Sequence, residues 1–128
     1  MKILDSDHCV AILRGRLKLQ GQIVAVEELG VTTISVAELV HGAHKSARSA
    51  ENLARVDALL AGFTIIPFDE PAARRFGLAK AELERAGIVG SDLDLQIASI
   101  ALEHTAPLIT HNRRHFERVP GLVIEDWL

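Results

Sequence analysis

One cysteine, one tryptophan, four phenylalanines and no tyrosine leave this chain short of both sulfur and aromatic surface. A single thiol, Cys9, excludes an internal disulfide and a cysteine-cluster metal site, and it suits a reducing compartment. Aromatics make up 4% of the 128 residues while hydrophobic residues make up 48%, so Ala, Leu, Val and Ile must fill the interior. Positive charge is also in deficit: 14 Lys and Arg against 17 Asp and Glu give a net charge of −3. No global basic field draws in nucleic acid, so any such binding must rest on a local patch or on metal ions. Long apolar runs are missing. None approaches the roughly 20 residues of a bilayer span, and Asp5 and Asp7 interrupt the opening run before it could serve as a signal segment. The expectation is a soluble, cytoplasmic protein with no membrane association.

What is present is alternation. Met1 to Leu4 is a short apolar run that reads as a buried strand, with Asp5-Ser6-Asp7 as its end and a helix cap. A short helix is expected over His8 to Gly15, and a looser helical pattern over residues 17–29 (Leu17, Leu19, Ile23, Val26, Leu29), stopped by Gly30. The β-branched run Val31-Thr32-Thr33-Ile34 reads as a second strand. Helices follow over Ser35 to Lys45 and residues 47–61, then a strand over Phe63 to Pro67. Asp69-Glu70-Pro71 opens the longest helix, which ends at Gly87. Ser91 caps a further helix that reaches about Ala106. Pro107 to Thr110 is a fourth strand, Arg113 to Arg118 a helical turn, and Leu122 to Ile124 a last edge strand. Strands alternating with helices predict an α/β layer fold on a mainly parallel sheet of four to five strands. No linker, repeat or low-complexity stretch divides it, so one domain is expected over residues 1–128.

Three acids fall at the ends of apolar elements. Asp5 follows the first strand, Glu38 lies in the first turn of the helix after the second, and Asp94 lies in the first turn of the helix leading to the fourth. Each has a local explanation. Asp5 can cap the first helix, Ser35-x-x-Glu38 is a capping box, and Ser91-x-x-Asp94 is a similar arrangement. Those explanations do not account for the three occurring together. In an open α/β sheet the carboxyl ends of the strands face one crevice. Carboxylates meeting there repel, and a divalent cation relieves the repulsion. An all-oxygen ligand set points to Mg²⁺, with Mn²⁺ as the alternative, rather than zinc.

Other residues carry weaker signals. His41-x-x-His44 and His111-x-x-x-His115 have helical spacings open to zinc, but surface histidines explain them as well. Arg113, Arg114 and Arg118 form a basic cluster that could hold RNA phosphate or a partner's carboxylate, or could be a solvated face. Arg14 and Arg16 are a second such pair. Cys9 reads as packing and Trp127 as a plug where the last strand ends. A phospho-accepting receiver domain would also place acids at strand ends. It would want an acceptor Asp after a central strand and a Lys after a late one, whereas Ile66 is followed by Pro67 and Thr110 by His111.

Taken in order, the motifs resemble a known family. Leu4-Asp5-Ser6-Asp7-His8 is similar to the opening signature of PIN domains, and Ser35-Val36-Ala37-Glu38-Leu39-x-x-Gly42 and Asp94-Leu95-Gln96-Ile97-Ala98 to their second and third motifs. Thr110-His111-Asn112-Arg113-Arg114-His115-Phe116, Val119-Pro120-Gly121-Leu122 and Glu125-Asp126-Trp127 resemble the closing segment of VapC toxins. The resemblance implies a PIN-like fold and a metal-dependent endoribonuclease, the toxin of a toxin–antitoxin pair. It implies an RNA substrate, a small cognate antitoxin and a homodimer. It assigns Asp5, Glu38 and Asp94 as catalytic carboxylates and metal ligands, with Asp5 and Asp94 the direct ones. Ser6 stands where the family usually has Thr. Where many members carry a fourth acid, the polar residues here are Asn112 and His115. Asp7 and Asp92 are candidates to replace that acid, and Thr110 a supporting hydroxyl. Arg113 and Arg114 are expected to touch RNA or antitoxin. The alternative is a catalytically weak PIN-like module that binds RNA or protein.

Overall fold

The computed structural model describes residues 1–21 and 27–128. Its elements run β1 (Lys2–Leu4), α1 (Ser6–Leu13), β2 (Leu29–Thr32), α2 (Thr33–Lys45), α3 (Ser49–Leu60), β3 (Thr64–Ile66), α4 (Glu70–Arg85), α5 (Asp92–Glu103), β4 (Leu108–Ile109), α6 (Arg113–Phe116) and β5 (Ile124–Glu125). The strands form one sheet in the order β3-β2-β1-β4-β5. Every pairing is parallel, with Lys2 beside Leu29, Ile3 beside Leu108, Gly30 beside Thr64 and Leu108 beside Ile124. The parallel α/β architecture expected from the alternation is therefore the one observed.

Successive strands step outward from β1 to β3, and then β4 crosses to the other side of β1. The order reverses between β1 and β4, which opens a crevice at their carboxyl ends. Asp5 directly follows β1 and Thr110 directly follows β4.

Side-chain alternation along each strand feeds two cores. Ile3, Ile66 and Leu108 face α4, α5 and α6, where Ala72, Ala79, Ile97, Ile100, Ala101 and Phe116 are buried. Leu4, Leu29, Val31 and Ile109 face α1, α2 and α3, where Cys9, Leu39, Ala43 and Val56 are buried. Both faces are covered, which is why the strands read as continuous apolar runs. Helix α5 is the most deeply set. Ala98, Ile100 and Ala101 have no exposed surface, and each large apolar side chain so buried contributes about 1.5–3 kcal/mol. That burial fixes the axis on which Asp94 is carried.

Several boundaries differ from the sequence reading. The second strand is Leu29–Thr32, and Thr33 and Ile34 belong to α2. Thr32 is the reason: fully buried, it caps α2 by accepting from the Ser35 N–H at 3.2 Å. Gly30 is a strand residue rather than a helix stop, and a Cβ there would come within 2.5 Å of Ile66 Cδ1. The helix expected over residues 17–29 falls partly on residues 22–26, outside the described residues. Within the described part, residues 17–21 and 27–28 are not helical and Leu29 is already strand. Leu17 is nevertheless buried and Leu19 packs on the second core, so their apolar character reflected burial rather than helical periodicity. Helix α5 stops at Glu103, short of Ala106, because Thr105 takes a left-handed conformation (φ 49°).

Candidate active site

Asp5 is almost fully buried, at 4% exposure, and caps α1. Capping and site membership are compatible, because each carboxylate oxygen has one donor. Oδ1 accepts from the Ser6 N–H at 2.8 Å and Oδ2 from the Thr110 hydroxyl at 2.9 Å. One lone pair on each oxygen is left over. Thr110 is fully buried, and its own oxygen accepts from the Asn112 N–H at 3.1 Å, so its proton is directed at Asp5. Burial, then the neighbouring Asp7 and Asp94 charges, push the Asp5 carboxyl up to about 6 against these donors.

Glu38 does not complete a capping box. Because Thr32 caps α2, Glu38 sits six residues into the helix, in its second turn. Its Oε2 accepts from the Ser6 hydroxyl at 3.4 Å, across the gap between α1 and α2. Partial burial and then the Asp5 charge raise its pKa, and Asp94 and Asp7 add to the shift. Asp94 lies in the first turn of α5, where its N–H donates to the Ser91 cap at 3.3 Å. Burial raises its pKa, and His115, with Nδ1 at 3.2 Å from Oδ2, pulls it partly back. The three acids therefore share one electrostatic neighbourhood.

The supporting residues divide. Ser6 bridges Asp5 and Glu38, the first through its backbone and the second through its hydroxyl. Asp7 lies beside Asp5. Burial would raise it, but hydrogen bonds from His8 and then from the His111 N–H take it below the ordinary range. Asp92 turns to Lys80, at 3.0 Å, rather than to Asp5. Asn112 contributes its backbone N–H, and its side chain makes no hydrogen bond among the described residues. His115 is the partner of Asp94, while His111 pairs with Asp126 at 2.8 Å, so the two histidines serve different acids. Arg113, Arg114 and Arg118 are exposed. Arg14 and Arg16 lie beyond the far end of α1, about 12 Å from its start at the helical rise of 1.5 Å per residue. The Cys9 thiol is pushed up to about 12, by burial first and then by Asp5 and Asp7, which leaves it inert packing.

Two residues escaped the sequence reading. Thr32 looked like one of four strand residues. His8 is fully buried between Asp7 and the Trp127 backbone. The available signal was an imidazole in an apolar helix next to an acid, since a buried ring needs partners for both nitrogens.

The crevice continues into two grooves. One, of about 620 Å³, runs from Asp94 and His115 between α4, the α4–α5 loop and α6, with Leu83, Ile88 and Val119 as apolar lining and Arg114 and Arg118 at its edge. The other, of about 380 Å³, is bounded by Glu38, Ile34, His41 and Leu93. Asp5 lines neither groove.

Among the described residues, no three acidic, histidine or cysteine side chains stand ready as ligands to a single ion. The donors still suit Mg²⁺, which takes one or two carboxylates and keeps several waters. The free lone pairs of Asp5 and the crowded charges of Asp94 and Glu38 supply that requirement.

Comparison with known proteins places the chain among relatives. The PIN domain family model matches residues 2–122. The chain is 31% identical to the tRNA(fMet)-specific endonuclease VapC of Salmonella typhimurium, over 98% of this chain and 96% of that protein. It is 34% identical to ribonuclease VapC2 of Rickettsia felis, over 77% of this chain and 74% of that protein. The crystal structure of VapBC2 from Rickettsia felis, bound to a DNA fragment from their promoter, contains a chain that superposes with a TM-score of 0.91. It is 28% identical and covers 99% of this chain and 98% of that one.

Proposed function

Because this chain belongs to the PIN-domain family, we propose that it is a divalent-metal-dependent endoribonuclease, the toxin of a toxin–antitoxin pair, with Asp5, Glu38 and Asp94 as its catalytic carboxylates. The observation that carries the reading is the crowding of these acids at the point where strand order reverses. Asp5 is held there at the cost of a pKa raised to about 6. A fold retains such a penalty where an ion or a reaction repays it. Asp5 and Asp94 are the direct metal ligands, with Glu38 alongside. Bound there, Mg²⁺ or Mn²⁺ supplies a Lewis acid for the phosphate oxygens and leaving group.

The chain's own residues do the rest. Thr110 and the Ser6 N–H hold the Asp5 carboxylate in one orientation. Glu38, already raised in pKa, takes a proton from the attacking water. The new bond forms between that water's oxygen and phosphorus, the phosphodiester P–O bond opposite breaks, and the leaving oxygen takes a proton from solvent. Arg114, beside the groove that begins at Asp94, receives a flanking phosphate, with Arg113 next to it.

The partner is a small antitoxin, and the active unit a homodimer. VapBC complexes are what the superposed relatives form, and this supports the antitoxin as partner. Among the described residues no helix is long and apolar enough to cross a membrane, and a cytoplasmic site of action follows from an RNA substrate. Initiator tRNA is the first substrate to try, because a relative of nearly full coverage is named for that specificity. Cleavage that stops in EDTA and returns with Mg²⁺ or Mn²⁺ is expected, as is growth arrest on expression that a co-expressed antitoxin relieves. Cleavage persisting in excess EDTA would overturn the mechanism. RNA binding without cleavage at any metal concentration would favour the binding module.

A further inference from the structure

His8 is the most deeply buried polar ring in the described structure, with no exposed surface. Both its nitrogens are committed. Nε2 faces the Trp127 backbone N–H at 3.0 Å, nearer than the Asp126 carboxylate, whose Oδ1 lies 3.5 Å away. A backbone N–H can only donate, so Nε2 is the bare nitrogen and the proton sits on Nδ1. Nδ1 then donates to Asp7 Oδ1 at 2.8 Å. The direction of the whole contact is set by the Trp127 segment, which is held in turn by the Asp126–His111 pair and by Lys2 against Glu125 and the Trp127 ring.

Asp7 passes this on. With Oδ1 on His8, its Oδ2 accepts from the His111 N–H at 2.9 Å and lies 3.4 Å from the Thr110 hydroxyl. Thr110 has one proton and two carboxylates in reach. It gives that proton to Asp5, at 2.9 Å, because Asp7 is turned towards His111. An Asp7 without its His8 donor is free to rotate and to compete for the same proton. Asp5 would then lose the bond that orients Oδ2.

We propose that His8 is a positioning residue for the carboxylate site, acting through Asp7 on the Thr110–Asn112 turn, with the Trp127 segment as the buttress that selects its tautomer. As a statement about turnover this rests on the nuclease reading above. As a statement about geometry it does not. No contact of His8 with RNA or metal is involved.

Two substitutions divide the ring. In His8→Asn the amide nitrogen falls near Nδ1 and can still donate to Asp7, but the acceptor for Trp127 is lost. In His8→Gln the amide reaches the place of Nε2 and can accept from Trp127, but the donor to Asp7 is lost. In metal-free protein, amide hydrogen exchange should show the His111 and Asn112 N–H groups losing protection by about tenfold or more in His8→Gln and keeping it in His8→Asn. The Trp127 N–H should show the reverse. With RNA and Mg²⁺, kcat should fall about tenfold or more in His8→Gln, the scale of losing a residue that orients a ligand, with KM little changed, and His8→Asn should stay near wild type. Equal protection and equal kcat in the two variants would overturn the proposal. The wild type offers a test free of folding risk: its imidazole ¹⁵N shifts should report the Nδ1–H tautomer, and an Nε2–H tautomer would also overturn it. An inactive wild type would defeat the nuclease reading, while exchange and tautomer would still decide the role of His8.

Discussion

Replacing Asp5 by asparagine removes a charge from a position that is 4% exposed, and the outcome separates a functional carboxylate from a helix cap. The folded-state pKa of Asp5 is raised from 3.8 to about 6, by burial first and by Asp7 and Asp94 after it. Such a shift corresponds to on the order of 3 kcal/mol. The sign follows from the direction. The folded state holds the proton more tightly, so the ionised carboxylate destabilises the metal-free fold in full above about pH 6 and not at all well below the unfolded value. Asparagine escapes that penalty but reorganises the Thr110 and Ser6 bonds, at about 1–1.5 kcal/mol. In EDTA at pH 7.5, Asp5→Asn should therefore be more stable than wild type by about 1–2 kcal/mol, or several degrees in Tm for a domain of this size. The advantage should shrink as pH falls towards 4. Mg²⁺ should raise the Tm of the wild type, by RT ln(1 + [Mg²⁺]/Kd), and leave the variant unmoved. Circular-dichroism melts at the two pH values, with and without Mg²⁺, measure all of this. A variant less stable than wild type by the same amount at both pH values, with equal Mg²⁺ response, would make Asp5 a structural cap and refute the reasoning.

Three further expectations follow from single contacts. Glu38→Gln should melt at or above the wild-type temperature in EDTA and lose most of its RNA cleavage. Glu38→Ala should also fold, because α2 is capped by Thr32, and a large loss of stability in it would restore a capping role. Thr32→Ala should cost about 1 kcal/mol, typical of a lost N-cap, and a melt unchanged from wild type would mean that the buried hydroxyl caps nothing. His115→Ala removes the interaction that pulls Asp94 down, so the acidic limb of the kcat/KM profile should move to higher pH, and an unmoved limb would separate Asp94 from turnover.

Much of the fold was legible because it rests on local signals. Pro71 after Asp69, Gly87, Ser91 and the apolar run of α5 mark elements that hold in the structure almost to the residue. Errors gathered where a local signal had two meanings. Val31 to Ile34 is β-branched throughout, which suits a strand, yet Thr32 also suits a cap. What decides between them is that Val31 and Thr32 are packed inside a sheet between β1 and β3. The same error moved Glu38 from the second turn of α2 to the first, and so made it look like a cap. Leu17 and Leu19 suggest a helix over residues 17–21 because leucines recur there, although Leu17 is simply buried and Leu19 packs against the second core.

By itself the sequence determined the alternation of strands and helices, the polarity of each face, and that Asp5 and Asp94 would stand at element ends. Those are properties of neighbours within a few positions, set by periodicity and caps. Only the tertiary structure decided which groups answer one another. Thr110 reaches Asp5 across 105 positions, and the Trp127 N–H reaches His8 across 119. The sheet order brings β4 beside β1, and the closing segment covers α1. No periodicity encodes such pairings, because each arises from burial that brings a distant donor to a group cut off from water.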